Sequence, residues 1–574
     1  MIMNFRWNIN KTKLRHFEDL KDLDPIIHKL LSILEIKDSK EAYNFLNPSE
    51  QTLQEPTLFM NSGKIINYLR KAIQKKKKIF IHGDFDVDGI TATSILWDFL
   101  FNELGADVLP IIPNRFEEGY GLSEKSIDRI VKQDGEIVIT VDCGIKDIEL
   151  IKNYPAIDFI ITDHHTYPKT KSGKKKSLKA DNLIGVFHPQ HPKSKLNFTQ
   201  ISGTTVAWKL ICVLNEKINN NEFSPNIYLP YVAMATIADI MPLKDENRYL
   251  VKRGLEKMNT STPLAINSLM QISGIENSEI NSYHIGYIIG PRLNAAGRLE
   301  DATESVRLLC TKNKNKSKKI ASHLDNLNKK RQELTSKYLE KAQSQIEKSK
   351  EDFLFFIHGV DWPEGILGLI AGRIQEKYSK PTLVSSLNSK KNIIKGSARS
   401  IKSYNVTDAI KNFENLLVKF GGHAQAAGFS LLPSNLDKFK KSIIEHANTN
   451  ISQEELIPII NIAEKVQLND VNFNFIKTIQ KLAPFGFGNP RPLFLIENLR
   501  IISKKNVGRN QSHIQLLLSN KGKQVKSIGF RLADDFKKTH IDDRIDVVCN
   551  PTINEWKGFK NVQLEIKDFR ISKK

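Results

Sequence analysis

Cysteine is scarce in this chain. Cys143, Cys212, Cys310 and Cys549 are the only four among 574 residues, and no two form a CxxC pair. That spacing excludes a disulfide framework and a thiolate zinc site. Long apolar runs are missing as well. No stretch approaches the roughly 18 residues that a membrane-crossing helix needs, and the first twenty residues carry charges throughout, without the apolar core of a secretory signal. Glycine (30) and proline (22) are too few for a collagen-like or linker-dominated chain. These absences lead us to expect a soluble cytoplasmic protein with no membrane partner. Acidic residues are in deficit: 64 Asp and Glu face 85 Lys and Arg, a formal net charge of +21. Such an excess suits a polyanionic partner, nucleic acid or an anionic membrane surface. A compositional bias towards Lys and Asn accounts for it equally well.

The remaining composition, 40% hydrophobic and 26% charged, is globular, and the length exceeds what one hydrophobic core supports. Residues 1–55 read as short helices forming a small N-terminal cap. Over 56–314, the β-rich runs KIFIHGD, GEIVITVD, AIDFIITD and NLIGVFHP alternate with helical stretches, which predicts a mostly parallel sheet covered by helices. The Lys-rich stretch HTYPKTKSGKKKSLKADN reads as a solvated loop. Residues 315–350 predict a long connecting helix, with Ile320, Leu324, Leu327, Leu334, Tyr338 and Ile346 at helical spacing. A second, smaller α/β lobe follows over 351–450. The last segment, 451–574, carries five strands without long helices between them, the pattern of an OB-like barrel.

The chemistry concentrates at strand ends. KIFIHGDFDVDG places Asp84, Asp86 and Asp88 at alternate positions, so an extended backbone aims them the same way. Three like charges so placed repel one another unless a cation sits among them. Asp88, just before an apolar helix, is equally explained as a helix cap. GEIVITVDCG ends in Asp142, and AIDFIITDHH ends in Asp163, His164 and His165. Residues past the carboxyl ends of parallel strands share one crevice. Asp239, in the otherwise apolar ATIADIMPL, would be costly if unpaired. Carboxylates and imidazoles without thiolates suit Mn²⁺ or Mg²⁺. Arg115 and Tyr120 in NRFEEGYG suit a phosphate and a stacked base, respectively; a surface loop with one salt bridge is the alternative.

HGDFDVDG, VDCG, TDHH and ADIMPL resemble the signature motifs of the DHH phosphoesterase superfamily. NRFEEGYG, GPRLNAAGR, GSARS, GGHAQAAGFS and PFGFGNPRPLF narrow the resemblance to its RecJ-type single-strand-specific exonucleases. The resemblance implies two α/β lobes, a DHH lobe and a smaller DHH-associated lobe, joined by the long helix. It also implies 5′→3′ degradation of single-stranded DNA to mononucleotides, in repair and recombination. A cleft too narrow for duplex would select single strands, and a helicase and a single-strand-binding protein would supply them. Carried over by position, Asp84 and Asp86 would be metal ligands, Asp142 would bridge two ions, His164 would ligate one and Asp239 would complete the site. His165 would face the phosphate, and the nucleophile would be a metal-activated water. Ser397 and Arg399 would bind the terminal 5′-phosphate near Arg115 and Tyr120, with Gly421, Gly422 and His423 alongside. Arg298 would contact the strand near the cleft. Arg292 and Asn294 are open between nucleic-acid contact and a structural turn. Two departures concern substrate positioning: Pro363 stands where the family usually has His, and Ala398 where a third Gly is common. Two rivals stand beside this expectation. One is a phosphoesterase for short oligoribonucleotides or cyclic dinucleotides, against which the barrel and the basic excess argue. The other is a non-enzymatic relative, against which the intact motifs argue.

Overall fold

In the computed structural model, the strands Val108–Ile111, Ile79–His82, Ile137–Val141, Asp158–Thr162 and Leu183–Phe187 lie side by side in that order, all parallel. Residues 5–170, 172–349, 351–508, 510–556 and 558–572 are described; the first four residues of the N-terminal cap lie outside them. Ile79–His82 and Ile137–Val141 are buried on both faces, as a parallel sheet covered by helices requires. The order reverses between these two strands. In open α/β sheets the ligand crevice opens outside the carboxyl ends of the strands at such a reversal. Asp84, Asp86 and Asp142 follow the two strands that flank it. The Lys-rich loop after the fourth strand is largely exposed, with one bridge between Lys169 and Lys175; Lys171 is outside the described residues.

The long helix runs from Lys314 to Lys348, started by the Asn313 side chain, which accepts from the Lys316 amide. Its apolar positions divide between two cores. Ile320, Leu324 and Leu327 pack into the first lobe, whereas Leu334, Tyr338 and Ile346 pack against the second. One amphipathic helix therefore ties the lobes together. The second lobe is a five-stranded sheet in the order Lys419–His423, Ala426–Leu431, Ile393–Arg399, Thr382–Asn388, Phe355–Val360. Only its last pair is parallel.

At the C-terminus Phe494–Val507, His513–Asn520, Lys523–Gly529, Phe559–Ile571 and Arg544–Trp556 close into a barrel, because the last strand pairs back on the first. The parallel pair Lys523–Gly529 with Phe559–Ile571 is the crossover that an OB-like Greek key needs. The N-terminal cap differs from the all-helical expectation. Helices Pro25–Ile33 and Ser39–Leu46 are present, but a strand, Arg6–Ile9, precedes them and pairs in parallel with Ile459–Ile462. The cap has no separate core: Phe17, Leu31 and Phe45 pack with Ala463, Ile479 and Phe494. A pairing between residues so distant in sequence leaves no local periodicity to read.

Buried Arg248 locks this junction. Its guanidinium stacks 3.8 Å from the Phe45 ring and donates to the carbonyls of Phe45 (2.5 Å), Leu482 (2.9 Å), Ala483 (2.9 Å) and Pro484 (3.4 Å).

Candidate metal centre and end-binding cleft

Close packing holds the first motif in place. A Cβ on Gly83 would meet Thr93 Oγ1 at 1.9 Å, and one on Gly89 would meet the Asp84 amide nitrogen at 2.5 Å, so both positions need glycine. Asp86, not Asp88, caps the helix Val87–Asp98: its Oδ1 accepts from the amides of Asp88 (3.0 Å) and Gly89 (3.2 Å). Asp88 serves a different helix. Its two oxygens accept from the Gly203 and Thr204 amides, both at 2.7 Å, at the start of Gly203–Lys217. Asp88 therefore does not cap the helix that follows it; it binds the first amides of a distant helix whose own N-cap is Ser202, a contact that local sequence cannot reveal. Asn294 Oδ1 accepts from the Val87 amide at 3.1 Å and steadies the motif. Arg292 is structural, held by Asp325 at 2.9 Å.

Asp142 ends its strand in the left-handed region, φ 59°, and the backbone turn directs it into the crevice. His164 Nδ1 lies 2.8 Å from the Ile201 carbonyl. Donation there leaves Nε2 with a free lone pair, the tautomer of a metal ligand. That Nε2 is 3.0 Å from Asp142 Oδ1, 3.6 Å from Asp239 Oδ2 and 3.7 Å from Asp88 Oδ2. Asp84 Oδ1, Asp142 Oδ1, His164 Nε2 and Asp239 Oδ2 are buried without a hydrogen-bond partner. Buried polar atoms are almost always paired; here the unpaired ones converge. Burial and the neighbouring Asp86 hold Asp84 well above the usual carboxylate range, and burial with Asp88 and Asp86 does the same to Asp142. Burial and Asp88 push Asp239 up to about 7. Such repulsion calls for cations. Three overlapping donor groups could each hold one: Asp84, Asp86 and Asp142; Asp88, His164 and Asp239; Asp142, His164 and His165. The donors are oxygen and imidazole nitrogen, a set that fits Mn²⁺ or Mg²⁺.

Asp163 turns its carboxylate back into the protein. It accepts from the amides of Ile145, His164 and His165, and its Oδ1 lies 2.9 Å from His165 Nδ1. Burial would lower the His165 pKa, but that hydrogen bond lifts it to about 9. The Tyr120 hydroxyl donates to the Asp142 carbonyl at 3.2 Å and sits 3.0 Å from His165 Nε2. Tyr120 therefore touches the site through its hydroxyl, while its ring is half exposed. On the second lobe, His423 is exposed, and partial burial with Lys146 and the two site histidines lowers its pKa.

A cluster of arginines adjoins the carboxylates. Arg115 lies over the Phe85 ring at 4.6 Å. Arg298, at the end of helix Gly290–Leu299, donates to the Gly365 carbonyl at 3.2 Å. Arg399, ending its strand, donates to Ser397 Oγ (3.2 Å) and the Ala398 carbonyl (2.8 Å). Among the described residues no carboxylate forms an ion pair with any of the three. Burial and then the other arginines, Arg115, Arg331 and Arg399, pull Arg298 down to about 9. Arg399 is lowered by burial and by Arg115. A helix packs Gly368 closely against Ser397 and Arg399, where a Cβ would meet Ser397 Oγ at 2.9 Å. The fold thus gathers Arg115, Arg298, Ser397 and Arg399, although they come from both lobes. Arg331, partly buried with its Nε enclosed and unpartnered, escaped sequence reasoning. On a polar helix it looks like one more solvated charge. Asp163 was visible in TDHH, but its orienting role needed the His165 contact.

Family models match residues 78–236 (DHH family, N-terminal domain), 352–449 (DHHA1 domain) and 462–568 (RecJ OB domain). The single-stranded-DNA-specific exonuclease RecJ of Bacillus subtilis is 30% identical over 99% of this chain and 71% of its own. RecJ of Haemophilus influenzae is 29% identical over 94% of this chain and 95% of its own. Among solved structures, Thermus thermophilus RecJ in complex with Mn²⁺ superposes with a TM-score of 0.82 at 25% identity, covering 100% of this chain and 81% of that one. No helix among the described residues is long and apolar enough to cross a membrane. With the DHH, DHHA1 and OB units in order and 30% identity to a relative along almost the whole chain, the chain belongs to the RecJ family of the DHH phosphoesterases.

Proposed function

We propose that this chain is a divalent-cation-dependent exonuclease that degrades single-stranded DNA from its 5′ end to mononucleotides. One observation carries the reading: buried, unpartnered carboxylate and imidazole atoms converge beside partly buried arginines that lack carboxylate partners. A DNA terminus with its metal ions satisfies both sets at once.

Asp84, Asp86 and Asp142 would hold one ion; Asp88, His164 and Asp239 would hold a second, with Asp142 facing both. Bound there, Mn²⁺ or Mg²⁺ would supply Lewis acidity toward the scissile phosphate and the attacking water. The chain's own groups do the rest. Asp163 orients His165 through Nδ1 and favours its charged form, so that the ring edge, with the Tyr120 hydroxyl beside Nε2, turns a positive group toward a phosphate oxygen. Arg115, Arg298, Arg399 and Ser397 anchor the terminal 5′-phosphate by charge-assisted hydrogen bonds. Tyr120 and His423 border the path between the two sites. Single-strand selectivity follows from a cleft that admits one strand. A helicase and a single-strand-binding protein would then supply substrate in the cytoplasm, in repair and recombination.

The test is an end-labelled single strand carrying a 5′-phosphate or a 5′-hydroxyl, incubated with Mn²⁺ or Mg²⁺. Expected is early release of a 5′-labelled mononucleotide, faster from the phosphorylated end, and no digestion of blunt duplex. Early release of 3′ label instead would overturn the polarity; no release with either ion would overturn the activity.

A further inference from the structure

Beside the arginine cluster lies a cavity of about 330 Å³ between the lobes. Arg298 belongs to both, and Phe116, on the cavity wall, directly follows Arg115. Leu299, Trp362, Pro363 and Leu387 give the walls apolar surface, and Asn388 and Lys391 stand on the same wall as Leu387. The polar groups around them are largely engaged within the protein. Ser386 Oγ accepts from the Trp362 amide at 2.8 Å. Asp361 accepts from Ser389 at 3.0 and 2.8 Å, and Glu364 is paired with Lys395 at 2.8 Å. Pro363 precedes the helix Glu364–Tyr378 and contributes no N–H to the wall. A space of this size stands at the lower end of small-ligand pockets, enough for one heterocycle. Its lining offers aromatic and aliphatic surface; Asn388 Oδ1 is engaged by the Lys391 amide, and the exposed Lys391 side chain adds a cation at the cavity. That chemistry accepts a flat ring without reading its edge, as sequence-independent strand binders do.

We propose that this cavity receives the nucleobase of the 5′-terminal nucleotide while Arg115, Arg298 and Arg399 hold its phosphate. The inference rests on the end-binding reading above and adds to it a subsite. A phosphate fixed on Arg298 leaves its own nucleotide beside the opening, and burying the base there removes apolar surface from water. The terminal residue would then be recognised as a phosphate plus any base, and an abasic terminus would be a poor substrate.

The experiment uses the full chain with Mn²⁺ and two 5′-phosphorylated single strands, one ending in thymidine and the other in a tetrahydrofuran abasic residue. Single-turnover release of the first residue is measured for the parent and for Leu387→Trp, which fills the cavity. In the parent the thymidine end should have an apparent KM about tenfold lower, the scale of one base–aromatic contact. In Leu387→Trp this preference should vanish through loss at the thymidine end alone. Equal effects on both strands, or none, would overturn the subsite. Should Leu387→Trp fold poorly, Phe116→Ala provides the second variant. A metal-free binding readout accompanies it: 2-aminopurine at the 5′ terminus should be quenched on binding the parent and less so on binding Phe116→Ala. Unchanged quenching counts against the proposal. A parent that digests both strands equally sinks the subsite only, whereas a parent that digests neither sinks the nuclease reading.

Discussion

Two groups of buried arginine in this protein look alike in sequence and behave oppositely. Arg248 is fully buried and spends its donors on the backbone carbonyls of Phe45, Leu482, Ala483 and Pro484. Arg115, Arg298 and Arg399 are partly buried and near enough to repel one another; among the described residues none forms an ion pair with a carboxylate, and only Arg115 draws support from several, Asp84, Asp86 and Glu364, at longer range. Both arrangements cost desolvation. The first recovers the cost inside the protein and joins the N-terminal cap, the first lobe and the barrel approach. The second leaves much of the cost standing until an anion arrives. The acidic centre beside it follows the same rule with the sign reversed. A satisfied buried charge builds structure, and an unsatisfied one waits for a ligand.

The strongest way to break this contrast is at the acidic centre. Asp142→Ala should abolish nucleotide release, yet the metal-free protein should melt no lower, because one of several repelling carboxylates is gone. Added Mn²⁺ should raise the melting temperature of the parent far more than that of the variant, by linkage. Equal Mn²⁺ stabilisation of the two would remove Asp142 from the metal site.

Arg248→Met should do the reverse. It leaves buried carbonyls without a donor, at about 1–3 kcal/mol for each group left unsatisfied, so denaturant unfolding should shift strongly downward. The KM of the folded fraction for a 5′-phosphorylated strand should stay at the parental value. An unchanged unfolding midpoint would show that the guanidinium is not what holds the junction.

Arg399→Ala and Arg298→Ala should each raise the KM for 5′-phosphorylated strands about tenfold or more, the scale of a hydrogen bond to a charged group. Discrimination against a 5′-hydroxyl should weaken with it, and stability should hold or rise as repulsion falls. Parental discrimination in both variants would move the end pocket elsewhere.

The smallest effect concerns the barrel. Arg373, on the second lobe, has its pKa lowered by burial and then by Arg531, on the barrel, so the two cations lie near each other. If a long strand bridges them, replacing either by Ala should flatten the log–log salt dependence of binding by about 0.7 for each phosphate that is no longer neutralised. Oligonucleotides too short to reach them should bind as before. Parallel slopes for long strands would leave the barrel free for a protein partner.

Much of this was legible in the chain. Strand–Asp motifs are local, since a short β-rich run followed by acidic residues places them at a strand end whatever the surroundings. The connecting helix was legible from its apolar spacing, and the barrel from closely spaced strands without helices. The pairing of Arg6–Ile9 with Ile459–Ile462 was not, because short strands far apart in sequence carry no shared period. Asp86 and Asp88 show the limit most sharply. Both suit a cap by residue type, but only packing of Gly203–Lys217 against the first motif decides which helix each one serves.

Residue order by itself settled most element types, the N-terminal strand excepted, the parallel character of the first sheet and the presence of acids, imidazoles and arginines at element ends. Side-chain period and turn chemistry act over a few residues, so these are readable without coordinates. Tertiary structure decided which charges found partners. Arg292 met Asp325, Arg248 met four carbonyls, and Arg115, Arg298 and Arg399 met one another. Whether a buried charge is satisfied depends on groups brought close from distant parts of the chain, and residue order alone does not disclose them.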